Sequence, residues 1–468
     1  MANIVQHLTP AERAAQGREA RKSVPRTWHG DWDVAQRRLE PLDLLAEQAT
    51  TRLPELVPVR HGRMAASPFA YYRGAALPMA ADLATLPNTG LRVQLCGDAH
   101  LCNFGGFASP ERDLVFDVND FDETAPGPFE WDLKRLCASL EIAARSRGFD
   151  PKTSRDMSLA GARAYQRAIR EFAGMPALDV WYTHLDVEGV IARWGATVTP
   201  KRVQAFRRLA QNATAKNEIK ARAKLTKPGP DGLRFRSDPP LLVPIRDLWD
   251  EAESEATIVW VHELIRSYRR TLEDNRRHLL ETYRFADLAR KVVGVGSVGT
   301  RSWVALFVGR DENDTLILQV KEAEASVLER FAGRSPYRNH GQRVVAGQRL
   351  MQAASDIFLG WHRVAKGIDG AQHDYYVRQL WDWKVSADVD TMPSDVMAVY
   401  AQMCGWTLAR AHARSGDPLA ISSYIGSSDT LPLALAQFAS AYADQNDTDY
   451  QALHNAINDG TVQADTTV

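Results

Sequence analysis

Two short acidic stretches decide the reading of this chain: Gly97-Asp98-Ala99-His100-Leu101-Cys102-Asn103, and Phe116-Asp117-Val118-Asn119-Asp120-Phe121-Asp122-Glu123. Each follows or ends an alternating apolar run, Leu91–Cys96 for the first and Leu114–Val118 for the second, so both read as loops at strand ends. Carboxylates set this close together repel one another, and burial raises the cost unless cations neutralise them. Mg²⁺ is the usual partner, because it takes hard oxygen ligands and keeps waters and substrate phosphates. An Asp and an Asn five positions apart across a tight loop can divide the labour. Asp98 accepts a hydroxyl proton while the Asn103 carbonyl holds metal, as in phosphoryl transfer. Asp120, seventeen positions further on, supplies a strand-end carboxylate. Asp117, Asp122 and Glu123 read as solvated turn or strand-edge residues, and His100 as a supporting or simply packed side chain. Cys96, His100 and Cys102 make a poor zinc site, since no fourth ligand lies nearby.

Working outward, Leu133, Leu136, Cys137 and Leu140 form one apolar stripe of a helix. A helical region from Pro151 to Leu225 follows, and Lys227-Pro-Gly-Pro-Asp-Gly232 reads as a breaker. Lys216, Lys220, Arg222, Lys224, Lys227, Arg234 and Arg236 make the most basic stretch, either a solvated face or an electropositive loop for an anionic substrate. Short β runs then appear at Val292-Val293, Trp303–Val308, Thr315–Val320 and Tyr375–Leu380, with a helix around Val344, Val345, Leu350 and Met351. The last eighty residues are helical in pattern, with Tyr400, Met403, Cys404, Leu408 and Ala411 on one face.

Within the β-rich part, Gly294-Val-Gly-Ser-Val-Gly299 is a G-x-G-x-x-G followed by a β-branched and aromatic run rather than a helix. That context disfavours a dinucleotide site, whose pyrophosphate meets a helix N-terminus. Strand, glycine turn, strand suits a loop whose backbone N–H groups at Gly294, Gly296 and Gly299 cover ATP phosphates. Lys321 ends the third strand and is the candidate for gripping them. Its acidic partner stays unassigned: Glu324 and Glu329 lie too close in sequence, and Gln348 is neutral.

These motifs carry a resemblance. Gly97–Asn103 resembles the catalytic loop of aminoglycoside phosphotransferases and choline kinases, a branch of the protein-kinase-like group. Asn119-Asp-Phe-Asp122 resembles that branch's metal-binding strand end, and Asp132 within Glu130-Trp-Asp-Leu133 the Asp that braces the loop. The sequence as a whole also resembles a bacterial family of unknown function placed in this group. The resemblance implies Asp98 as catalytic base, Asn103 and Asp120 as metal ligands, and backbone groups at Gln379 and Leu380 meeting adenine. Cys96 departs from the pattern, since the phosphotransferases usually have His there.

The motif order is unusual, because Asp98 precedes the glycine loop by about two hundred residues. Trp406-Thr-Leu-Ala-Arg-Ala-His412 resembles the helix that in those enzymes leads directly into the catalytic loop. The implied fold is α+β, protein-kinase-like, two-lobed and circularly permuted, with a large helical lobe and a small antiparallel β lobe. The expected divisions are an arm at 1–60, a helical lobe at 61–288, a β lobe at 289–385 and returning helices at 386–468. Permutation is physically allowed where termini lie close at a surface.

Composition bounds the rest. The chain has 468 residues, which on a prior of ~150 per domain suggests two to four units. Lys plus Arg total 57 against 58 Asp plus Glu, and a net charge of −1 argues against a nucleic-acid partner. Four cysteines suit a reducing compartment, and with no long apolar run the expectation is a soluble cytoplasmic protein. The expected activity is ATP- and Mg²⁺-dependent transfer of the γ-phosphate to a hydroxyl of an unidentified acceptor. The alternatives are AMP transfer from a reversed nucleotide, or a nucleotide-binding pseudokinase that regulates a partner.

Overall fold

In a computed structural model the described residues are 7–37, 39–214, 218–249, 261–367, 369–380 and 383–467. The Asp98 stretch sits between two antiparallel ladders. On one side β1 (Arg92–Leu95) pairs with β4 (Ala125–Pro128), with Leu95 opposite Ala125. On the other, β2 (Phe104–Ala108) and β3 (Leu114–Val118) form a hairpin, with Phe104 opposite Val118. β5 (Leu185–Asp186) and β14 (Val385–Ser386) complete a four-stranded sheet ordered β14-β2-β3-β5. The segment Phe-Gly-Gly-Phe-Ala108 has too much glycine to announce itself as a strand, yet it is β2.

The larger sheet is built from β8 (Leu242–Pro244), β9 (Arg284–Lys291), β10 (Ser302–Val308), β11 (Thr315–Ala323), β12 (Gly360–Val364) and β13 (His373–Gln379). Its order is β12-β13-β11-β10-β9-β8, and every pairing is antiparallel. Alternate residues of β10 and β11 feed opposite faces, as a two-residue period requires. Trp303, Ala305, Phe307, Leu316, Leu318 and Val320 pack one way, and Val304, Leu306 and Ile317 the other. Both faces are covered, so Trp303–Val308 of β10 and Leu316–Leu318 of β11 run apolar without interruption. The sheet starts earlier than the sequence suggests: β8 and β9 precede Val292-Val293, which lead out of β9 into the glycine turn. The breaker at 227–232 is itself a hairpin, β6 (Thr226–Gly229) with β7 (Gly232–Phe235).

The main apolar core joins the two ends of the chain. Phe69, Leu95, Phe104, Leu133, Leu136 and Cys137 belong to it, as do Met397, Cys404, Leu408, Tyr424 and Phe438. The helix Pro151–Ala173 meets the helix Ser394–Ser415 where Gly405 faces Gly161; a Cβ on Gly405 would stand 2.2 Å from the Gly161 carbonyl oxygen. The helix Phe129–Ser146 is buried on all sides rather than along one stripe. Its charged residues have partners there: Glu130 accepts from Thr89, Lys134 lies over the Phe438 ring, and Arg135 meets Asp98. The N-terminal arm is bound closely to the chain's end, through Arg13 with Asp417 and Arg21 with the Tyr424 carbonyl. The helix Val57–Ala65 runs through the expected boundary at residue 60. Among the described residues no helix is long and apolar enough to cross a membrane.

Candidate functional site

The turn into Asp98 is fixed by Gly97, at φ +86°, where a Cβ would lie 2.1 Å from the Glu123 carbonyl oxygen. Only glycine fits that backbone and that contact. Asp132, in the first turn of its helix, takes the Cys96 N–H on Oδ2 at 2.8 Å and the Gly97 N–H on Oδ1 at 3.0 Å. His412 approaches the same Oδ2 at 3.3 Å. Asp132 therefore braces the loop from behind. The Asn103 amide donates to the Asp98 carbonyl at 2.8 Å, closing the loop on itself. His100 accepts the Cys102 N–H on Nδ1 and has Nε2 3.7 Å from Asp98 Oδ2; burial first, then Arg73 and Arg135, keep its ring neutral.

Asp98 keeps 18% side-chain exposure and pairs with Arg135 at 2.7 Å. Burial raises its carboxyl above the ordinary value, with Arg135 pulling the other way. Arg135 escaped the sequence reading. It stands three positions after Asp132, on the same helix face, and that spacing was its only signal.

The second stretch departs from expectation at three residues. Asp117 is 2% exposed, not a strand-edge residue in solvent. Its carboxylate binds Arg410 at 2.6 Å and takes the Ala353 N–H at 2.9 Å. Asp122 is no solvated turn residue either: it takes Lys321 at 2.5 Å, the Tyr376 hydroxyl at 2.5 Å and the Ser297 hydroxyl at 3.2 Å. Burial works to raise Asp122, but Lys321 outweighs it and the carboxyl lies below its ordinary value. Glu123 accepts the Val327 N–H at 2.8 Å, and burial pushes its carboxyl up to about 7. The partner of Lys321 is thus found on the acidic strand end and not on a helix; the helix His340–Met351 sends Arg343 to the Asp122 carbonyl instead.

Lys321 is 2% exposed and lies 3.9 Å from Asp120 as well. Burial opposes its charge, yet Asp120 and Asp122 raise it above the ordinary lysine value. Asp120 is raised by burial and by Asp122, the mark of two carboxylates sharing too little cation. Its Oδ1 takes the Asp122 N–H at 3.2 Å. Among the described residues no three His, Cys, Asp or Glu side chains are grouped to hold a metal ion. Mg²⁺ asks for less, one or two protein oxygens with the rest from water and phosphate, and the Asp120 carboxylate with the Asn103 carbonyl fits that demand.

The glycine turn joins β9 to antiparallel β10, so it opens a strand and not a helix. Among the described residues the N–H groups of Val295, Gly296 and Ser297 find no acceptor. Among the described residues the Gly299 N–H also finds no acceptor, but its other contacts point away from that group. Its carbonyl takes the Leu53 N–H and its Cα faces the Arg52 side chain, so it ties the turn to the arm. The N–H groups of Gln379 and Leu380 are already taken: that of Gln379 goes to the Asp356 carboxylate, and that of Leu380 to the Ile317 carbonyl as a continuation of the β11–β13 pairing.

One cleft of about 700 Å³ gathers these parts. Asp98, His100, Asn103, Asp120 and Asp122 line it, together with Gly294, Gly296, Lys321, Gln379 and Leu380. Its volume is that of a small-molecule or cofactor site, roughly 300–1,000 Å³. Asp132 and Gly299 stand outside the lining and act through neighbours. So does the basic stretch: Lys216 lies outside the described residues, while Arg222 serves the Glu312–Asn313 turn, Arg234 the Ala286 carbonyl and Arg236 the Thr226 carbonyl. None of its described members lines the cleft. The cations that do include Arg52, Arg60, Arg73, Arg378 and Lys384, the last pushed down to about 8 by burial and then Arg378.

Fold and cleft define a mixed α+β protein whose antiparallel sheet and helical core both contribute to one polar, ligand-sized site. The chain belongs to the family described as uncharacterized protein conserved in bacteria (DUF2252), whose family model matches residues 52–456. No curated protein and no solved structure matches the chain.

Proposed function

We propose that the protein is an ATP- and Mg²⁺-dependent phosphotransferase of permuted, protein-kinase-like architecture. The observation that carries the reading is the meeting of Lys321 with Asp122 and Asp120, about two hundred positions apart in sequence, in the cleft that also holds Asp98 and the glycine turn. Buried lysine, acidic strand end, Asp–Asn loop and unpaired turn N–H groups are the parts phosphoryl transfer needs. The permutation is supported by the seam at Gly416: the helix Ser394–Ser415 ends where a Gly416 Cβ would stand 3.0 Å from the Arg92 carbonyl oxygen, at the start of β1. A chain cut there and rejoined would run helix, β1, Asp98 loop.

In this reading the turn N–H groups and Lys321 orient the phosphates, and Asp98 positions the acceptor hydroxyl and receives its proton. Arg135 holds the Asp98 carboxylate in place. Asn103 and Asp120 would hold a Mg²⁺ ion, which would neutralise charge on the phosphates. Adenine meets the side chains and carbonyls of Gln379 and Leu380 rather than their N–H groups. Cytoplasmic placement belongs to the same reading.

Mass spectrometry of candidate acceptors, or of the protein itself, after incubation with MgATP tests the chemistry. Phosphate transfer adds about 80 Da, AMP transfer about 329 Da. Gain of the smaller mass, lost in Asp98→Asn, supports the reading. The larger mass reassigns the nucleotide's direction. Thermal stabilisation by ATP with no product from any acceptor favours the pseudokinase.

A further inference from the structure

A separate part of the cleft is lined by residues 48–74 and stays unused in the chemistry above. Arg60, on the helix Val57–Ala65, is 1% exposed. Its Nη2 donates to Gln48 Oε1 at 3.1 Å and to the Gly74 carbonyl at 3.0 Å, while its Nε and Nη1 are buried with no partner. Arg52 and Arg73 each bury an Nε in the same condition. All three line the cleft, as does Gln48. Among the described residues none of these guanidinium groups forms an ion pair with a carboxylate. Arg52 and Arg73 are half-buried and lie in the field of carboxylates, Asp122, Glu123, Glu322 and Glu324 for Arg52 and Asp98 for Arg73. Arg60 is buried with no carboxylate acting on it. An uncompensated buried cation is costly, and one that shares its cavity with two further arginines suits an anion. Guanidinium forks match the paired oxygens of phosphate and carboxylate.

The location points to the acceptor end of the site. Arg73 acts by charge on Asp98 and His100, the candidate base and its neighbour. The Arg73 carbonyl packs against Gly296 in the glycine turn, and Arg63 donates to the Gly294 carbonyl at 2.7 Å. The short helices that carry Arg60 and Arg73 therefore also hold the turn in register with Asp98.

We propose that Arg52, Arg60 and Arg73 form an anion subsite that anchors the acceptor by a phosphate ester or carboxylate group, so that the acceptor is an anionic molecule bearing a hydroxyl. The anchoring role rests on the phosphotransfer reading; the anion subsite itself does not. In the step it serves, the acceptor oxygen forms a new bond to the γ-phosphorus. The bond from that phosphorus to the β–γ bridging oxygen breaks, ADP leaves with the electron pair, and the hydroxyl proton passes to Asp98.

The test is thermal unfolding of the full chain in inorganic phosphate and, separately, acetate, each against sodium chloride at matched ionic strength. MgATP affinity is titrated in parallel. Wild type gains stability from phosphate, from acetate or from both, and the anion that protects says which headgroup the subsite takes. Arg73→Gln and Arg52→Gln, at partly exposed positions, weaken that protection about tenfold each, while MgATP affinity moves less than about threefold. Arg60→Met does the same if it folds, and the other two variants decide the matter if it does not. Protection equal to wild type in these variants, or none beyond chloride in wild type, overturns the subsite. A fall in MgATP affinity as large as the fall in phosphate protection assigns the arginines to the nucleotide and overturns the acceptor role. Arginine-dependent protection in a protein that binds no MgATP leaves the subsite standing and removes the phosphotransfer reading.

Discussion

Arg37 and Arg60 stand on the same N-terminal segment, and both are buried. Arg37 makes four bonds of 2.7–2.9 Å to the carboxylates of Asp82 and Asp449, so each charge it brings inside is answered. Arg60 faces no carboxylate and leaves two donors idle at the cleft. The first arrangement holds the arm to the helix Thr430–Asn458 whether or not anything is bound. The second is complete only with an anion. Burial alone does not separate a structural arginine from a ligand-binding one; the state of its donors does.

Asp98 sits between the two cases, paired with Arg135 yet open to the cleft, and its loss carries the largest expected effect. Asp98→Asn lowers transfer about 10²–10⁴-fold, with MgATP affinity retained; unchanged turnover would remove Asp98 as the base. Next comes Arg37→Met, which leaves two buried carboxylates unanswered and costs about 3–5 kcal/mol in urea unfolding without altering phosphate protection. A smaller effect is set by pH. His29, bonded to the Tyr424 hydroxyl at 2.6 Å, is held neutral by burial, its pKa lowered from 6.5 to about 3. The unfolded chain binds this proton first, so His29's contribution is complete above pH 6.5 and is lost as pH falls toward 3. The slope is at most about 1.4 kcal/mol per pH unit, and His29→Asn should flatten it in acid unfolding curves. The smallest effect is the sharpest contrast: Arg60→Met in anion-free buffer changes stability by no more than about 1 kcal/mol. A loss as large as that of Arg37→Met would show that Arg60 is already compensated.

The parts legible in sequence were those whose chemistry is local. The Asp98 loop, the Asp120 strand end, the strand–turn–strand around Gly296 and the apolar approach to Lys321 each occupy a few consecutive residues with a pattern of their own. What stayed hidden depends on contacts across the fold. Asp117 reads like its neighbour Asp120 until Arg410 arrives from the far end of the chain. Asp122 differs from a turn aspartate only because β11 and β13 bring Lys321 and Tyr376 to it. Gly299 fits the glycine motif by spacing, but the arm claims it. The basic stretch from Lys216 to Arg236 drew attention because its charges are closely spaced in sequence, whereas the cleft arginines are single residues, Arg52 in a bend and Arg60 and Arg73 on separate short helices. β2, β8 and β12 were missed for ordinary reasons: glycine content in the first, three residues in the second, and Trp361, His362 and Arg363 in the third.

The central claim, that segments far apart in sequence build one nucleotide site, is tested most directly by MgATP titration calorimetry on the wild type, Asp120→Ala, Lys321→Met and Asp98→Asn. The account predicts binding to the wild type and to Asp98→Asn within about threefold, and at least about tenfold weaker binding to Asp120→Ala and to Lys321→Met. No heat of binding in the wild type, or equal affinity in all four proteins, would contradict it.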